Sequence, residues 1–513
     1  MEIEFKFQIP TARLPALEAD MVAGGATRTR LQARYFDTAN GMLAKHGIVL
    51  RLRREGDRWV QTAKATSAEK GLLHRLEHNF ELPEDQDEAT MQPDIRRHTG
   101  TSVGKRIDKL IKQHDAPLVE TFATDISRLA CIEQLGNTKV ELALDVGKVM
   151  CQAADGNPNQ YRESLVCELE LELVEGDLAD LVALADRWSQ RHGLWLSTLS
   201  KAERGERLMS GVAVKAVKAV KAFPPDFAGV KDSALTMALV QRRVLMACLA
   251  QVLPNASEVA SGNEDPEVVH QLRVGLRRLR TALRELGGLA AQPSKSADGK
   301  YQALTEAFMV LGANRDQHLM VDDLQPKLLQ AGAPAMDLVQ QAAVLPGVGA
   351  AICAAAFQAT LVSLVGLSSC ADGLSSDPAS QHESPLPVLR KRLEKLFRHI
   401  VQDGKRFDTL TLEAQHRVRK RLKRLRYLSE FTGALFAEKA AARFVGRLTP
   451  ALDALGALND AAVALETYRK AAASDPRAWF AVGWLSAGQA SKVKACSAAL
   501  TQLGEASPFW KKH

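Results

Sequence analysis

The chain has 513 residues, 46% hydrophobic and 25% charged, too long for one core and ordinary for globular protein, so two or more domains are expected. No uninterrupted apolar run approaches the roughly 20 residues that cross a bilayer, and a start bearing Glu2 and Glu4 is unlike a secretory signal, which argues against a membrane partner and for a cytoplasmic location. The net charge of +7 divides unevenly: residues 1–210 hold 28 Lys+Arg against 33 Asp+Glu, a net of −5, and the remainder 39 against 27, a net of +12, so an anionic partner is expected for the second part.

In chain order, Glu2-Ile-Glu4-Phe-Lys6-Phe7 alternates charged and apolar residues, the pattern of a strand with Glu2, Glu4 and Lys6 on one face. Thr11 to Met21 reads as a short helix. Alternating segments follow at Ala33–Thr38, Ile48–Arg53 (Arg51 and Arg53 on one face), Trp59–Lys64 and Arg75–Glu81. A helix is expected over Val103–His114. Strands resume at Glu120–Arg128, Lys139–Leu144 and Val166–Leu173, the last with Glu168, Glu170 and Glu172 in one row. A helix over Leu178–His192 then leads to Leu199–Arg204.

About eight amphipathic strands predict an α+β domain whose antiparallel sheet closes or nearly closes. Three glutamates in one row repel one another unless cations stand opposite. Lys6, Arg51, Arg53, Lys64, Arg75, Arg128 and Lys201 can answer them, and so can a divalent ion. A single strand of this kind is read as a half-buried strand with a solvated face; the set as a whole points to a tunnel for a metal-bound polyphosphate. The seven cysteines are scattered, with no CxxC pair, which argues for reduced thiols and against zinc or disulfides.

Glu2-x-Glu4-x-Lys6, Tyr35-Phe-Asp-Thr38, Leu50-Arg-Leu-Arg53, Lys64, Arg75-x-Glu77, Arg128, Glu141-x-x-x-Asp145-x-Gly147, Glu168-x-Glu170-x-Glu172 and Ser200-Lys201, taken in order, resemble the CYTH domain of the triphosphate tunnel metalloenzymes. The resemblance implies an eight-stranded antiparallel β tunnel. Glu2, Glu4, Glu168 and Glu170 would hold Mg²⁺ or Mn²⁺. Lys6, Arg51, Arg53, Arg75, Arg128 and Lys201 would bind triphosphate oxygens, and Tyr35 with Lys64 would stand near the attacking water. Asn79 departs from the pattern where many members carry an acid. The activity implied is hydrolysis of inorganic triphosphate; an adenylate cyclase of class IV type, or another nucleotide or organic triphosphatase, uses the same tunnel.

Val212 to Ala222 is a low-complexity Ala/Val/Lys run closed by Phe223-Pro-Pro, and places a linker at 211–227 between a domain at 1–210 and one at 228–508. Beyond it the apolar spacing is helical throughout, so an all-α domain is expected. Ser368–Pro387 reads as a loop dividing it into similar halves, about 228–367 and 388–508. His270-Gln-Leu-Arg-Val-Gly-Leu-Arg-Arg-Leu-Arg280 aligns without gaps to His416-Arg-Val-Arg-Lys-Arg-Leu-Lys-Arg-Leu-Arg426, and Leu311–Asp316 to Leu455–Asp460. At 100° per residue His270, Arg273, Arg277 and Arg280 share one helix face, as do His416, Arg419, Lys423 and Arg426, with Lys420 beside them. Asp316 and Asp460 are read as structural partners of these cations.

The two histidine helices, with Arg315-Asp316 and Asn459-Asp460 taken as turns, resemble the CHAD domain, which implies two helical bundles that bind inorganic polyphosphate. Only 5% of residues are aromatic and no base-reading motif is present, so nucleic acid is disfavoured. A chain that only binds polyphosphate, without catalysis, remains the third reading.

Overall fold

The structure, a computed structural model, describes residues 2–66, 73–83, 91–114, 117–152, 161–211, 217–231, 234–287, 301–336, 347–369 and 384–511. The side chains of Glu2 and Arg75 lie outside the described residues, as do Ser67–Gly71, Val212–Ala216 and most of the expected loop at 368–387. The chain forms two compact units. The first comprises Met1–Val220 with Val252–Val269 and Ile352–Cys370, and the second Lys221–Gln251, His270–Ala351 and Ala371–His513.

The first unit is built on strands β1 (Glu2–Gln8), β2 (Thr27–Thr38), β3 (Ile48–Glu55), β4 (Arg58–Thr66), β5 (His74–Glu81), β6 (Leu118–Leu135), β7 (Thr138–Gln152) and β8 (Tyr161–Glu175). They hydrogen-bond in the order β5-β4-β3-β2-β6-β7-β8-β1, and β1 also pairs with β5, so the sheet closes into an eight-strand ring. Each of these ladders is antiparallel. A two-residue strand, β9 (Trp195–Leu196), extends the sheet from β1 outside the ring.

Alternation puts the two faces of each strand to different uses. Phe5 and Phe7 on β1 are 1% and 0% exposed, as are Leu50 and Leu52 on β3 and Leu169 and Leu171 on β8 at no more than 1%. Each such side chain contributes about 1.5–3 kcal/mol when buried. Helices α1 (Leu14–Ala23), α2 (Met42–Lys45), α3 (Ser102–His114), α4 (Leu178–His192) and α5 (Lys201–Ser210) surround the ring. One core joins Phe36, Leu50 and Leu52 to Leu43 of α2 and to Val103 and Ile107 of α3. The expected strands are present but longer: β2 begins at Thr27 and β6 runs on to Leu135. The outer end of β2 is exposed on both faces, and that of β6 mixes apolar and polar residues on each face, which removes the alternation that marks a half-buried strand.

Gly147 on β7 lies under β6 so closely that a Cβ there would sit 2.1 Å from the Asp125 carbonyl oxygen and 2.8 Å from Ile126 Cα. Neither is a flexible side-chain end. Gly147→Ala is therefore expected to destabilise the protein by about 1–3 kcal/mol, seen as a lower urea midpoint.

The first unit also takes in two segments from beyond residue 250. Helix α6 (Met237–Ala260) enters it at Val252. Ser257 Oγ accepts from Thr198 N at 3.3 Å, and Arg207 of α5 bridges Glu203 and Glu258 at 2.7 and 2.8 Å. After α7 (Pro266–Leu286), α8 (Gln302–His318), α9 (Gln325–Gln330) and α10 (Val348–Cys353), helix α11 (Ala355–Ser369) packs on α4, where Gly366 meets Val182. Gln358 Oε1 caps Leu196 N at 2.9 Å. Helix α6 corrects the expectation that nothing here is long and apolar enough to span a membrane. It is long and apolar enough by length and composition despite interruptions by polar residues, but 67% of its most apolar stretch is buried inside the protein, the condition of a core helix.

The second unit is helical, as its spacing predicts. It continues with α12 (Pro385–Gly404), α13 (Leu412–Thr432), α14 (Glu438–Ala471), α15 (Ala478–Ala487) and α16 (Gln489–Gly504). Phe397, Phe444, Phe509 and Trp510 form an aromatic core with ring centroids 5.0–5.8 Å apart. Cys131, Cys151, Cys167, Cys248, Cys353 and Cys496 are free thiols.

Candidate functional site

The inward rows of the ring meet in register. On β1 and β8, Lys6 stands opposite Glu170 and Glu4 opposite Glu172. On β7, Glu141 faces Glu172 and Asp145 faces Glu168, and Arg128 on β6 faces Asp145. Across the ring Tyr35 pairs with Arg51, and Lys64 with Glu77. These rows line a cavity of about 620 Å³ whose wall includes Glu4, Lys6, Tyr35, Arg51, Arg53, Lys64, Arg128, Glu170 and Lys201.

At one end the charges are compensated. Ser200 caps α5 by accepting from Glu203 N, so the helix begins at Lys201 and sends its ammonium into the ring. Lys201 Nζ lies 2.5 Å from Glu168, 2.7 Å from Asp145 and 3.0 Å from Glu170. Arg128 grips Asp145 with two hydrogen bonds of 2.7 Å and reaches Glu170 at 2.8 Å. Burial alone would raise Glu170, but Lys201, Arg128 and Lys6 hold it well below the usual carboxylate range. Lys201 is buried too, yet its three acids raise it well above an ordinary lysine.

The other end is richer in acid. Burial pushes Glu172 up to about 7 against the pull of Lys64, and Glu4, Glu141 and Glu77 add to the rise. Lys64 Nζ lies 2.6 Å from Glu77. Across the cavity, burial and the neighbouring Arg51 depress Arg53. The buried Nε atoms of Arg51 and Arg53 have no hydrogen-bond partner among the described residues. Tyr35 is stacked on Phe122 at 4.4 Å, with its hydroxyl 3.5 Å from Arg51 Nη1.

These donors fit both a cation and an anion. Asp145, Glu168 and Glu170 offer oxygens within 4.8 Å of one another, and the buried Glu168 Oε2 has no hydrogen-bond partner among the described residues. Orphaned guanidinium nitrogens opposite suit phosphate oxygens. Glu168 itself is fully buried behind Lys201 and is not among the cavity-lining residues. The expected metal set omits Asp145, Glu141, Glu172 and Glu77, although their period-two spacing was visible. Asn79 accepts from Thr62 Oγ1 at 2.7 Å, so its amide serves a neighbouring strand.

In the second unit the two basic helices bring their cations together. Burial and the charges of Arg277, Arg419, Arg273 and Arg315 push Lys423 down to about 6. Burial, Arg277 and Arg315 bring Arg273 down to about 10. Arg273 Nε and Arg419 Nε are buried without hydrogen-bond partners among the described residues. Phe308 of α8 lies under Arg273, Arg277 and Arg280, 4.9–5.6 Å from their guanidinium carbons. His416 is lowered mainly by burial and by Lys420 and Arg419, with Asn459 hydrogen-bonded to it. His270 and Lys420 are exposed, and Arg426 pairs with Glu430 on its own helix at 2.8 Å.

The expected turns at Arg315-Asp316 and Asn459-Asp460 are instead inside α8 and α14. Asn and Asp favour turns when their side chains bond their own backbone. Here Asp460 accepts from Arg315 at 3.3 Å, and Arg315 lies 3.6 Å from Asp316. Arg315 and Phe308 are the members of this face that sequence periodicity on the basic helices does not reveal.

Comparison with known proteins gives a family match for each of two stretches of the chain. Residues 1–205 match the CYTH domain and residues 243–469 the CHAD domain. The chain is 28% identical over 178 residues to an inorganic triphosphatase of Haemophilus influenzae, an alignment spanning 34% of this chain and 45% of that relative's length. A CHAD domain from the plant Ricinus communis aligns at 25% identity over 54% of this chain and 96% of its own, with a TM-score of 0.42. A putative adenylyl cyclase from Hippeastrum with a dominant triphosphatase activity aligns at 17% identity over 41% and 96%, with a TM-score of 0.29. The chain therefore carries a CYTH domain, folded as a closed antiparallel barrel, followed by a helical CHAD domain.

Proposed function

We propose that the barrel hydrolyses inorganic tripolyphosphate to pyrophosphate and phosphate with a divalent metal ion, and that the basic face of the helical unit binds inorganic polyphosphate. The observation that carries the reading is one cavity whose staves bear Lys6, Arg51, Arg53 and Arg128 together with Glu4, Asp145, Glu170 and Glu172, with Lys201 added from α5. Phosphoryl transfer asks a protein mainly for positioning and charge neutralisation.

In this reading Arg51, Arg53, Arg128 and Lys6, with Arg75 on β5, hold the phosphate oxygens in line. Glu4 and Glu170 on the cavity wall, with Glu2 on the same strand as Glu4 and with Glu168 once Lys201 gives way, would hold Mg²⁺ or Mn²⁺, which would supply further neutralisation of the phosphate charge. Water attacks the terminal phosphorus and the bridging oxygen leaves with pyrophosphate. Lys64, tethered to Glu77, and the Tyr35 hydroxyl orient that water. Lys201 keeps Asp145, Glu168 and Glu170 ionised and in place.

The test is phosphate release from tripolyphosphate, ATP and thiamine triphosphate, with and without Mg²⁺, with cyclic AMP formation followed in parallel. Metal-dependent release from tripolyphosphate is expected. No metal-dependent turnover of any of them would overturn the hydrolase.

Lys423 gives the helical face a pH dependence. Its folded-state pKa of about 6 lies below that of an unfolded lysine. Between those values the unfolded chain binds more protons, so this group's contribution to stability rises with pH over that window and levels off below about 6. A bound polyanion reverses the repulsion and draws the proton back. Polyphosphate affinity is expected to fall as pH rises from 6 to 8, and Lys423→Arg to flatten that slope in a binding titration.

A further inference from the structure

Helix α13 carries a second basic face, turned away from the one just described. At 100° per residue Arg417 and Arg421 lie 100–140° round the helix from His416. With His399, Gln402 and Asp403 of α12, and Arg406 just beyond it, they line a separate cavity of about 230 Å³.

The duplication shows that these cations are not required by the repeat. Helices α7 and α13 have identical lengths and lie 146 residues apart in sequence. At that spacing His399, Arg406, Arg417 and Arg421 correspond to Leu253, Ala260, Gln271 and Gly275. The four basic side chains of this cavity thus stand in one copy only.

Their charge is poorly offset. Among the described residues Asp403 is the single acid on the wall, and both Arg421 and Arg406 (3.7 Å) pair with it. Arg417 pairs at 2.9 Å with Glu413, which is 86% exposed, so that pair contributes little. Burial and the charges of Arg421, Arg398 and Lys395, opposed by Asp403, keep His399 below its usual range. A cavity of about 230 Å³ has room for a small oxyanion of one or two phosphorus atoms.

The geometry points to an oxyanion site between α12 and α13, formed by His399, Arg406, Arg417 and Arg421, that takes pyrophosphate or orthophosphate and is separate from both the barrel and the polyphosphate face. It does not depend on the hydrolase reading. The probe is the imidazole resonance of His399 in the full chain, assigned by its loss in His399→Gln and followed while pyrophosphate is added. A parallel titration with orthophosphate separates the two anions, and potassium chloride at matched ionic strength is the control.

A saturable shift of the His399 signal is expected with at least one phosphate species. Arg417→Gln should weaken it about tenfold, and Asp403→Asn should tighten it by removing the competing acid. Because Arg417 is half exposed, its loss does not threaten the fold. A chloride response equal to that of both phosphates, or a pyrophosphate affinity unchanged in Arg417→Gln, would overturn the site.

Discussion

Lys201→Met is expected to lower stability by about 3–5 kcal/mol at pH 7 and to eliminate turnover. The ammonium has Glu168, Asp145 and Glu170 within 3.0 Å, and the first two are fully buried. Removing one partner from a buried ion cluster leaves charge without compensation, which is far more costly than losing an exposed pair. Arg128 cannot cover the loss, because its ion pairs are with Asp145 and Glu170 and leave Glu168 to Lys201. Urea unfolding checks the magnitude, and its pH dependence checks the cause. In the variant the orphaned carboxylates ionise less readily when folded than when unfolded, so the deficit should shrink as pH falls from 7 to 5. In the parent the depressed Glu170 has the opposite sign, and its contribution is lost as pH falls. A deficit that does not change with pH would point to lost packing rather than lost charge.

The second large effect is a separation of activities. Glu4→Ala should reduce tripolyphosphate hydrolysis by roughly 10²–10³-fold or more while leaving polyphosphate binding unchanged. Arg277→Glu combined with Lys423→Glu should do the reverse. Removing two charge-assisted hydrogen bonds to the polyanion, at about 1.5–3 kcal/mol each, corresponds to a fall of roughly 10²–10⁴-fold in polyphosphate affinity. Unfolding is not a confounding explanation for the double variant, because Lys423 sits among Arg277, Arg419, Arg273 and Arg315, and replacing two of these cations relieves repulsion. Turnover and binding measured on each purified variant decide the matter; equal loss of both in either variant contradicts the division of labour.

The eight-strand ring was legible because each stave alternates. Arg51 and Arg53, or Glu168, Glu170 and Glu172, cannot share a face in any element other than a strand. Register was not legible. That Lys6 stands against Glu170, and Asp145 between Arg128 and Glu168, depends on where neighbouring strands begin, and the outer ends of β2 and β6 carry no alternation to mark that. Lys201 was read as a cation that binds triphosphate; its link to three acids comes from α5 starting just after its Ser200 cap. In the helical unit the basic faces followed from 3.6-residue spacing on two helices. Arg315 and Phe308 lie on a third, where nothing local distinguishes them from ordinary helix positions. The reading of Asn459-Asp460 as a turn failed for the same reason: tertiary partners overrode a local preference.

The way β1 closes the ring has one more consequence. β1 pairs with β8 from Glu4 to Gln8 on one side, and on the other Glu2 and Ile3 pair with Arg75 and His74 and Glu4 N donates to Leu73 O at 3.4 Å. The strand that carries Glu4 and Lys6 is therefore held by backbone hydrogen bonds from both neighbours. Residues 27–30 at the outer end of β2 differ: among the described residues they pair with β6 alone, and the β3 ladder starts at Leu31. Amides of β1 should therefore exchange with solvent later than those of residues 27–30. An ion held between Glu4 and the acids of β8 would act as a rivet between two strands that are already paired.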